Sequence, residues 1–182
     1  MQIFTLGTPL GINQVPEAYA TTSVFFTDFD DEVAPDEFSG SISTEGVQGY
    51  AGLGTGTNVF GGNFLRNDDI PATTTTLTLT NLPPHTSVNI GFLFAAIDSW
   101  DGIDGCVSPD RFNVKVDETL IFSKGFENSF CGTQDYVPPA GVELARRQTL
   151  GFTPTDTFFA DSAYNMGLDP TFQNIPHTPL AH

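Results

Sequence analysis

Short runs in which hydrophobic and polar residues alternate dominate the chain. Phe112–Val116 is one such run and another ends in Leu-Thr-Leu-Thr at 77–80, while Thr22–Phe29 is a further predicted strand. Successive side chains of a strand point to opposite faces, so this alternation predicts strands with one buried and one solvated face. The most apolar run, Ser87–Ile97, predicts a central strand that is covered on both faces.

The turn signals between these runs indicate the fold class. Phe112–Val116, then Asp117-Glu118, then Leu120–Phe122 predicts a β-hairpin. The 18 Gly and 13 Pro favour tight turns, whereas helix formers are scarce, and only Gly141–Gln148 offers a candidate for a short helix. We therefore predict an all-β protein, an antiparallel β-sandwich or jelly roll with little or no helix.

The length of 182 residues is enough for one ordinary domain with a real core. The pattern predicts an N-terminal arm over residues 1–20, a jelly-roll domain over 21–168, and an extended Pro-rich tail over 169–182. No internal repeat and no boundary inside the domain is evident.

The charge balance excludes some classes of partner. Six Lys and Arg stand against 22 Asp and Glu, which gives a formal net charge of −16. Such a surface repels phosphate backbones, so neither nucleic acid nor an anionic membrane is expected as a partner. No apolar run reaches the roughly 18 residues that a spanning helix needs, so no membrane insertion is expected. Because the chain carries this excess of negative charge, we expect it to bind cations.

Four carboxylates follow the most apolar run within thirteen residues: Asp98, Asp101, Asp104 and Asp110. They repel one another unless a cation lies among them. Calcium accepts six to eight oxygen ligands at about 2.3–2.6 Å, and Gly102 and Gly105 permit the turns that direct carbonyls inward. This acidic loop (residues 98–110) is therefore a predicted calcium site. The alternative is a solvated loop in which Asp residues form turns.

Trp100, the one Trp of the chain, lies inside the acidic loop. An aromatic face beside carboxylates is suited to a sugar, because the ring stacks on C–H groups while the oxygens bind hydroxyls. Trp100 is thus a candidate ligand-binding residue. The alternative is a buried ring that anchors the loop.

Cys106 and Cys131 are the only two cysteines. In an acidic, Lys-poor chain they favour one disulfide and an oxidising, extracellular or cell-surface compartment. The alternative is two free buried thiols. The chain has no CxxC sequence, so a zinc ribbon or a thioredoxin motif is excluded.

Catalytic motifs are not evident. The sequence has no GxSxG, HExxH or Walker motif, and no carboxylate pair stands out in apolar surroundings. A histidine triad or a zinc site would require His85, in a Pro-Pro turn, to meet His177 and His182 in the tail, which their positions do not favour. We therefore expect no enzymatic activity.

Three segments resemble a known family: FLFAAIDSWDG at 92–102, PDRFNVKVD at 109–117 and LIFSKGF at 120–126. They are similar to a bacterial secreted β-sandwich module found in proteins with PEP-CTERM-type sorting signals, over roughly residues 22–130. The resemblance implies a calcium-supported, lectin-like jelly roll outside the cell, without established catalysis. The chain departs from the family in lacking its closing strand, so we expect an open sheet edge.

Two functions follow as hypotheses. The first is a calcium-binding extracellular module that attaches to carbohydrate or to a cell-surface component. The alternative is a structural subunit of an extracellular fibre or sheath, which assembles through its termini or its edge strands. An open edge is a template for pairing with another chain, and the arm at residues 1–20 could fill it in its own domain or in a neighbour.

Overall fold

The computed structural model describes residues 2–7, 21–30, 36–40, 42–46, 52–67, 74–97, 99–104, 109–129, 131–148 and 161–177. The strands in these ranges are β1 (Gln2–Gly7), β2 (Thr21–Thr27), β3 (Phe38–Gly40), β4 (Ser43–Gly46), β5 (Gly54–Thr55), β6 (Asn58–Val59), β7 (Asn63–Arg66), β8 (Thr75–Leu77), β9 (Ser87–Gly91), β10 (Leu93–Ala96), β11 (Arg111–Val116), β12 (Thr119–Gly125), β13 (Glu143–Gln148), β14 (Asp161–Asn165) and β15 (Ile175–Pro176). Two single 3₁₀ turns, Met166–Leu168 and Pro170–Phe172, complete the regular elements there.

The all-β prediction is confirmed. The described residues contain no helix of seven residues or more, and every strand pairing is antiparallel. Antiparallel sheets of this kind are consistent with a β-sandwich, while the jelly-roll order stays a prediction.

The chain divides into two compact units, while the division into an arm, a jelly-roll domain and a tail stays a prediction. Unit 1 consists of Met1–Val47, Gly61–Phe92 and Phe172–His182, and unit 2 of Gln48–Phe60 and Leu93–Thr171. Residues from both the predicted arm and the predicted tail therefore belong to unit 1, together with part of the predicted jelly-roll domain.

Unit 1 contains a four-stranded sheet in the order β15-β9-β1-β2, together with the pairs β3–β8 and β4–β7. Gln2–Gly7, in the predicted arm, is an interior strand of this sheet, because β1 pairs with β2 on one side and with β9 on the other. The predicted extended tail contains a 3₁₀ turn and a strand, and Phe172 and Ile175 within it are buried.

Aromatic contacts mark the core of unit 1. The ring of Phe38 lies 5.4 Å from that of Phe29 and 5.9 Å from that of Phe25, measured between centroids. Phe92 meets Phe172 edge to face at 5.3 Å. Such pairs stabilise a core beyond the apolar area they bury.

Unit 2 contains the three-stranded sheet β10-β14-β13 and the hairpins β11–β12 and β5–β6. The predicted hairpin is confirmed: Val116 pairs with Thr119, and both residues between them, Asp117 and Glu118, have positive φ. Two positive φ angles define the type I′ turn that matches the twist of a hairpin. The core is centred on Phe126, whose ring contacts those of Phe94, Trp100, Phe122, Tyr136 and Tyr164.

Two local predictions are wrong. Ser87–Ile97 is not one strand, because the chain leaves β9 at Gly91 and begins β10 at Leu93, and the two strands lie in different sheets. A glycine inside an apolar run often marks such a break. The candidate helix at Gly141–Gln148 is the strand β13, because pairing with β14 overrides the weak helix propensity of the segment.

Candidate functional site

Residues 100–104 of the acidic loop lie beside residues 126–129 and 131–133, which we name together the clasp segment. The carbonyl of Trp100 accepts hydrogen bonds from the N–H groups of Asn128 (2.8 Å) and Ser129 (3.1 Å), and the N–H of Gly102 donates to the carbonyl of Phe126 at 2.9 Å. These bonds cross between the two segments, so the backbone on the N-terminal side of the loop is held in place.

Gly102 is the point of closest approach between the loop and the clasp segment. Its φ is +73°, and a Cβ at this position would lie 2.5 Å from the carbonyl oxygen of Thr133. The same carbonyl accepts a hydrogen bond from the N–H of Ile103 at 2.9 Å. Only glycine combines this backbone angle with this approach.

Three of the four predicted metal ligands serve as hydrogen-bond acceptors within this structure. Asp101 Oδ1 accepts from Ser129 Oγ at 2.6 Å, and Asp110 Oδ2 accepts from the backbone N–H of Asp101 at 2.8 Å. Asp104 Oδ1 accepts from both the N–H and the hydroxyl of Thr133, each at 2.6 Å. Asp101 and Asp104 therefore fasten the loop to the clasp segment, while Asp110 closes a hydrogen bond within the loop itself.

The fourth predicted ligand, Asp98, lies outside the described residues, as do residues 105–108. Within the described ranges, no three His, Cys, Asp or Glu side chains are grouped so that they could hold a metal ion. The described carboxylates do not by themselves form a calcium cage, because a cage needs six to eight oxygens around one point. Calcium binding stays a prediction.

Asp104 is exposed, and its pKa lies below its usual range. The hydrogen bond from the Thr133 hydroxyl is the largest cause, and the bond from the Thr133 N–H follows. Both bonds favour the charged carboxylate. The solvent side of the loop therefore carries a fixed, ionised carboxylate.

Trp100 is half-buried, and its ring packs on the core of unit 2. It meets Phe94 edge to face at 5.7 Å and Phe126 at 5.9 Å. These contacts favour the anchoring role that the sequence left open. A role in sugar binding stays a prediction.

Cys131 lies in the clasp segment and is disulfide-bonded. No free cysteine is present among the described residues. Cys106, the one other cysteine of the sequence, lies outside those residues.

A buried ion-pair cluster, which sequence reasoning missed, begins at Glu127 in the clasp segment. The side chain of Glu127 is fully buried, and its Oε2 accepts a hydrogen bond from Arg147 Nη2. Arg146 Nη2 lies 3.6 Å from the same oxygen. Two of the six basic residues of the chain thus neutralise one carboxylate, which offsets the cost of removing it from water.

A β-bulge explains how two successive arginines reach one carboxylate. Ala145 pairs with Ala163 and Gln148 with Asp161, so three steps along β13 match two steps along β14. Arg147 lies inside this irregularity with a φ of +47°. In a regular strand, successive side chains point to opposite faces, and the extra residue of a bulge breaks that alternation.

Arg146 links Glu127 to a second part of the cluster. Its Nη1 donates to Gln134 Oε1 and, at 2.9 Å, to the hydroxyl of Tyr164. The Tyr164 hydroxyl in turn donates to Gln134 Oε1 at 3.2 Å. Burial raises the pKa of Tyr164, and the charge of Arg146 partly opposes that rise.

Neutral side chains extend the cluster to β10 and β14. Asn128 donates from Nδ2 to the carbonyl of Ala96 at 2.6 Å and accepts from Ser162 Oγ at 2.6 Å. Ser162 Oγ also accepts from the N–H of Arg147 at 3.0 Å. The clasp segment is thus bonded to the acidic loop through its backbone and to the central sheet of unit 2 through its side chains.

Tyr136 and Asp169 form a further buried pair in unit 2. The Tyr136 hydroxyl donates to Asp169 Oδ2 at 2.6 Å. Burial is the largest cause of the strongly raised pKa of Tyr136, and the hydrogen bond to Asp169 adds to it. The hydroxyl therefore keeps its proton and holds the turn at Asp169 against the core.

No protein-family model, curated protein or solved structure matches the chain. The resemblance to the calcium-supported module stays a prediction. Among the described residues, none lies in a helix that is long and apolar enough to cross a membrane.

The signal for the missed cluster was the Arg-Arg pair at 146–147, in a chain with only six basic residues. Basic residues that are scarce and adjacent indicate a specific acidic partner better than a solvated face. The partner could not be identified from the sequence, because Glu127 is one of 22 acidic residues and lies about 20 residues from the arginines along the chain.

Proposed function

We propose that the chain is a non-catalytic binding module, located outside the cell or at its surface, that attaches to carbohydrate or to a cell-surface component. The binding surface in this proposal is the acidic loop together with the clasp segment. One observation carries it: the loop presents an exposed, ionised carboxylate, Asp104, on a backbone that hydrogen bonds hold at several points.

A preorganised polar surface suits a hydroxyl-rich ligand. Ser99, Asp104 and Thr133 are exposed and carry oxygen atoms that can bond to sugar hydroxyls. Because the backbone there is already ordered, binding costs little conformational entropy. Trp100, half-buried at the edge of this surface, would add stacking contact with C–H groups.

Calcium is part of the proposal as the ion that the sequence motif implies. Asp98, Asp101, Asp104 and Asp110 would supply carboxylate oxygens, and the net charge of −16 favours a cation. No step of the proposed attachment depends on the ion. The calcium and chelator arms of the screen described next therefore test a calcium requirement apart from attachment itself.

The test is a glycan-array screen of the purified chain with calcium, with a chelator, and with no addition. We expect selective binding that Asp104→Asn weakens. Asp117→Asn, which removes an exposed carboxylate from the β11–β12 turn of the same unit, is the matched control and should bind as the unaltered chain does. If both substitutions weaken glycan binding equally, the effect comes from the net charge of the chain. That outcome would contradict the acidic loop as the binding site.

A structural subunit is the second candidate function, and the position of β1 favours it. The strand is interior to its sheet, while residues 8–20 separate it in sequence from β2. Exchange of such a strand between copies would join them without any new contact. Thr5 of β1 pairs with Ser23 of β2. A Thr5→Cys, Ser23→Cys variant should therefore form a disulfide within one chain if β1 pairs with β2 of its own chain. It should form a disulfide between two chains if β1 is exchanged.

A further inference from the structure

Two histidines that are 92 residues apart in sequence meet in unit 1. His85 Nε2 lies 2.5 Å from His177 Nδ1. The sequence did not favour this meeting, because His177 falls in a segment predicted to be an extended tail. It occurs because β15 pairs with β9, which places Ile175 opposite Val88 and Pro176 opposite Ser87.

The surroundings fix the tautomer of His85. Its Nδ1 lies 2.7 Å from the carbonyl oxygen of Pro83, which can only accept a hydrogen bond, so Nδ1 carries the proton. In the neutral ring, Nε2 is then an acceptor, and the proton between the two rings belongs to His177 Nδ1. His85 therefore presents the lone pair of Nε2 towards His177.

The two rings lie edge to edge. Their centroids are 4.5 Å apart and their planes differ by 9°. A face-to-face stack would keep the atoms about 3.5 Å apart, which the separation of 2.5 Å between the nitrogens excludes. The two nitrogens consequently face each other across one proton, and they are close enough for one ion to bridge them once that proton leaves.

The backbone holds both rings in this arrangement. His85 is only 5% exposed. The N–H of His177 donates to the carbonyl of Thr86 at 3.0 Å, next to His85 in the chain. The pair is therefore formed before any ligand arrives.

We propose that His85 and His177 form a binding site for a divalent transition metal ion of the borderline class, such as Zn²⁺, Cu²⁺ or Ni²⁺. Imidazole nitrogens suit these ions. Histidines that bind metals almost always donate their other N–H to a carboxylate, a backbone carbonyl or water, and His85 has this bond to Pro83. The ligands are His85 Nε2 and His177 Nδ1.

Metal binding requires two small changes. The proton on His177 Nδ1 moves to the other ring nitrogen or to solvent, which frees the lone pair. A tetrahedral ion at about 2.0–2.1 Å from each nitrogen needs the two nitrogens about 3.3 Å apart, so the rings must separate by less than 1 Å. Among the residues described, no third His, Cys, Asp or Glu joins the pair, which leaves the other positions to water or an added ligand.

The test is calorimetric titration of the purified full chain with ZnCl₂, together with electron paramagnetic resonance after addition of CuSO₄. We expect one Zn²⁺ site per chain and a Cu²⁺ spectrum with coupling to two nitrogens. His177→Asn should lose both signals yet remain folded, because the Asn amide can still donate a hydrogen bond to His85 Nε2. His85→Gln should lose both signals as well.

His182→Gln is the matched control, since it removes the one other histidine of the chain. This variant should bind like the unaltered chain. A Zn²⁺ isotherm of His177→Asn equal to that of the unaltered chain would overturn the proposal. So would loss of the site in His182→Gln, or a Cu²⁺ spectrum with one nitrogen. A thermal melt of each variant checks that the fold is retained. If His85→Gln unfolds, the Zn²⁺ and Cu²⁺ measurements on His177→Asn alone test the proposal.

Discussion

Glu127 is fully buried, and Arg147, two-thirds buried, donates a hydrogen bond to its carboxylate within unit 2. Removal of one partner from a buried ion pair leaves a charge that water cannot reach. Arg147→Gln should therefore lower the free energy of unfolding by about 3 kcal/mol, near the lower end for such pairs, because Arg146 remains close to the carboxylate.

Urea unfolding followed by the fluorescence of Trp100 measures this effect, because Trp100 is the one Trp and lies in the same unit. The matched control is Arg111→Gln, which breaks the more exposed pair with Asp135 and should cost about 0–1 kcal/mol. Equal losses in the free energy of unfolding of the two variants would contradict the larger contribution of the buried Glu127 ion pair.

Gly102 should be irreplaceable for the acidic loop. A Cβ there would clash with the carbonyl of Thr133, whereas one on Gly56, which also has positive φ and lies in the same unit, would meet no atom within 4 Å. Gly56→Ala should cost about 1–2 kcal/mol from the backbone conformation alone. Gly102→Ala should cost more than that in the same urea experiment, and a smaller cost would show that the loop can move away from the clasp segment.

The hydrogen bonds from Thr133 should set the acid titration of Asp104. Its pKa is lowered in the folded chain, so these bonds stabilise the fold above the unfolded pKa, and the contribution is lost as the pH falls through the folded value. Thr133→Val should move the pKa of Asp104 up towards its usual range, as followed by carboxyl ¹³C NMR. Thr133→Ser keeps a hydroxyl and should keep the low pKa. A low pKa in the Val variant would contradict the role of the hydroxyl.

The disulfide at Cys131 should be a large part of the stability of unit 2. Its predicted partner is Cys106, and 24 residues separate the two. Closure of a loop of this size contributes about 3–4 kcal/mol in the chain-entropy model. Cys106→Ser should thus destabilise the chain as much as a reductant does, and alkylation with mass analysis should find no free thiol in the unreduced, denatured chain. Two alkylated thiols would exclude the bond.

Deletion of residues 1–20 should unfold the four-stranded sheet of unit 1. Without β1, strands β2 and β9 lose the strand that lies between them. A synthetic peptide of residues 1–20 should restore the sheet by strand addition, as seen by circular dichroism and size-exclusion chromatography. A folded, monomeric truncated chain would show instead that the arm is dispensable.

Local contacts were predictable from the sequence, and distant ones were not. The hairpin of β11 and β12 was found because its turn and both strands are contiguous. The interior place of β1 and the pairing of β15 with β9 were missed, because few of the residues involved alternate clearly and their partners are far along the chain. In the acidic loop, sequence identified the carboxylates, but their donors, Ser129 and Thr133, lie about 30 residues away.

The pairing of β15 with β9 also has a consequence for the order in which the protein can fold during its synthesis. Residues 172–177 supply Phe172, Ile175 and His177 to unit 1, and they leave the ribosome after all of unit 2. The sheet around β9 therefore stays without this edge until the chain beyond residue 171 has emerged, while every segment of unit 2 is already available. Contacts over such sequence distances form late and slowly, so this edge of β9 is open to unwanted partners until residues 175–176 have been made.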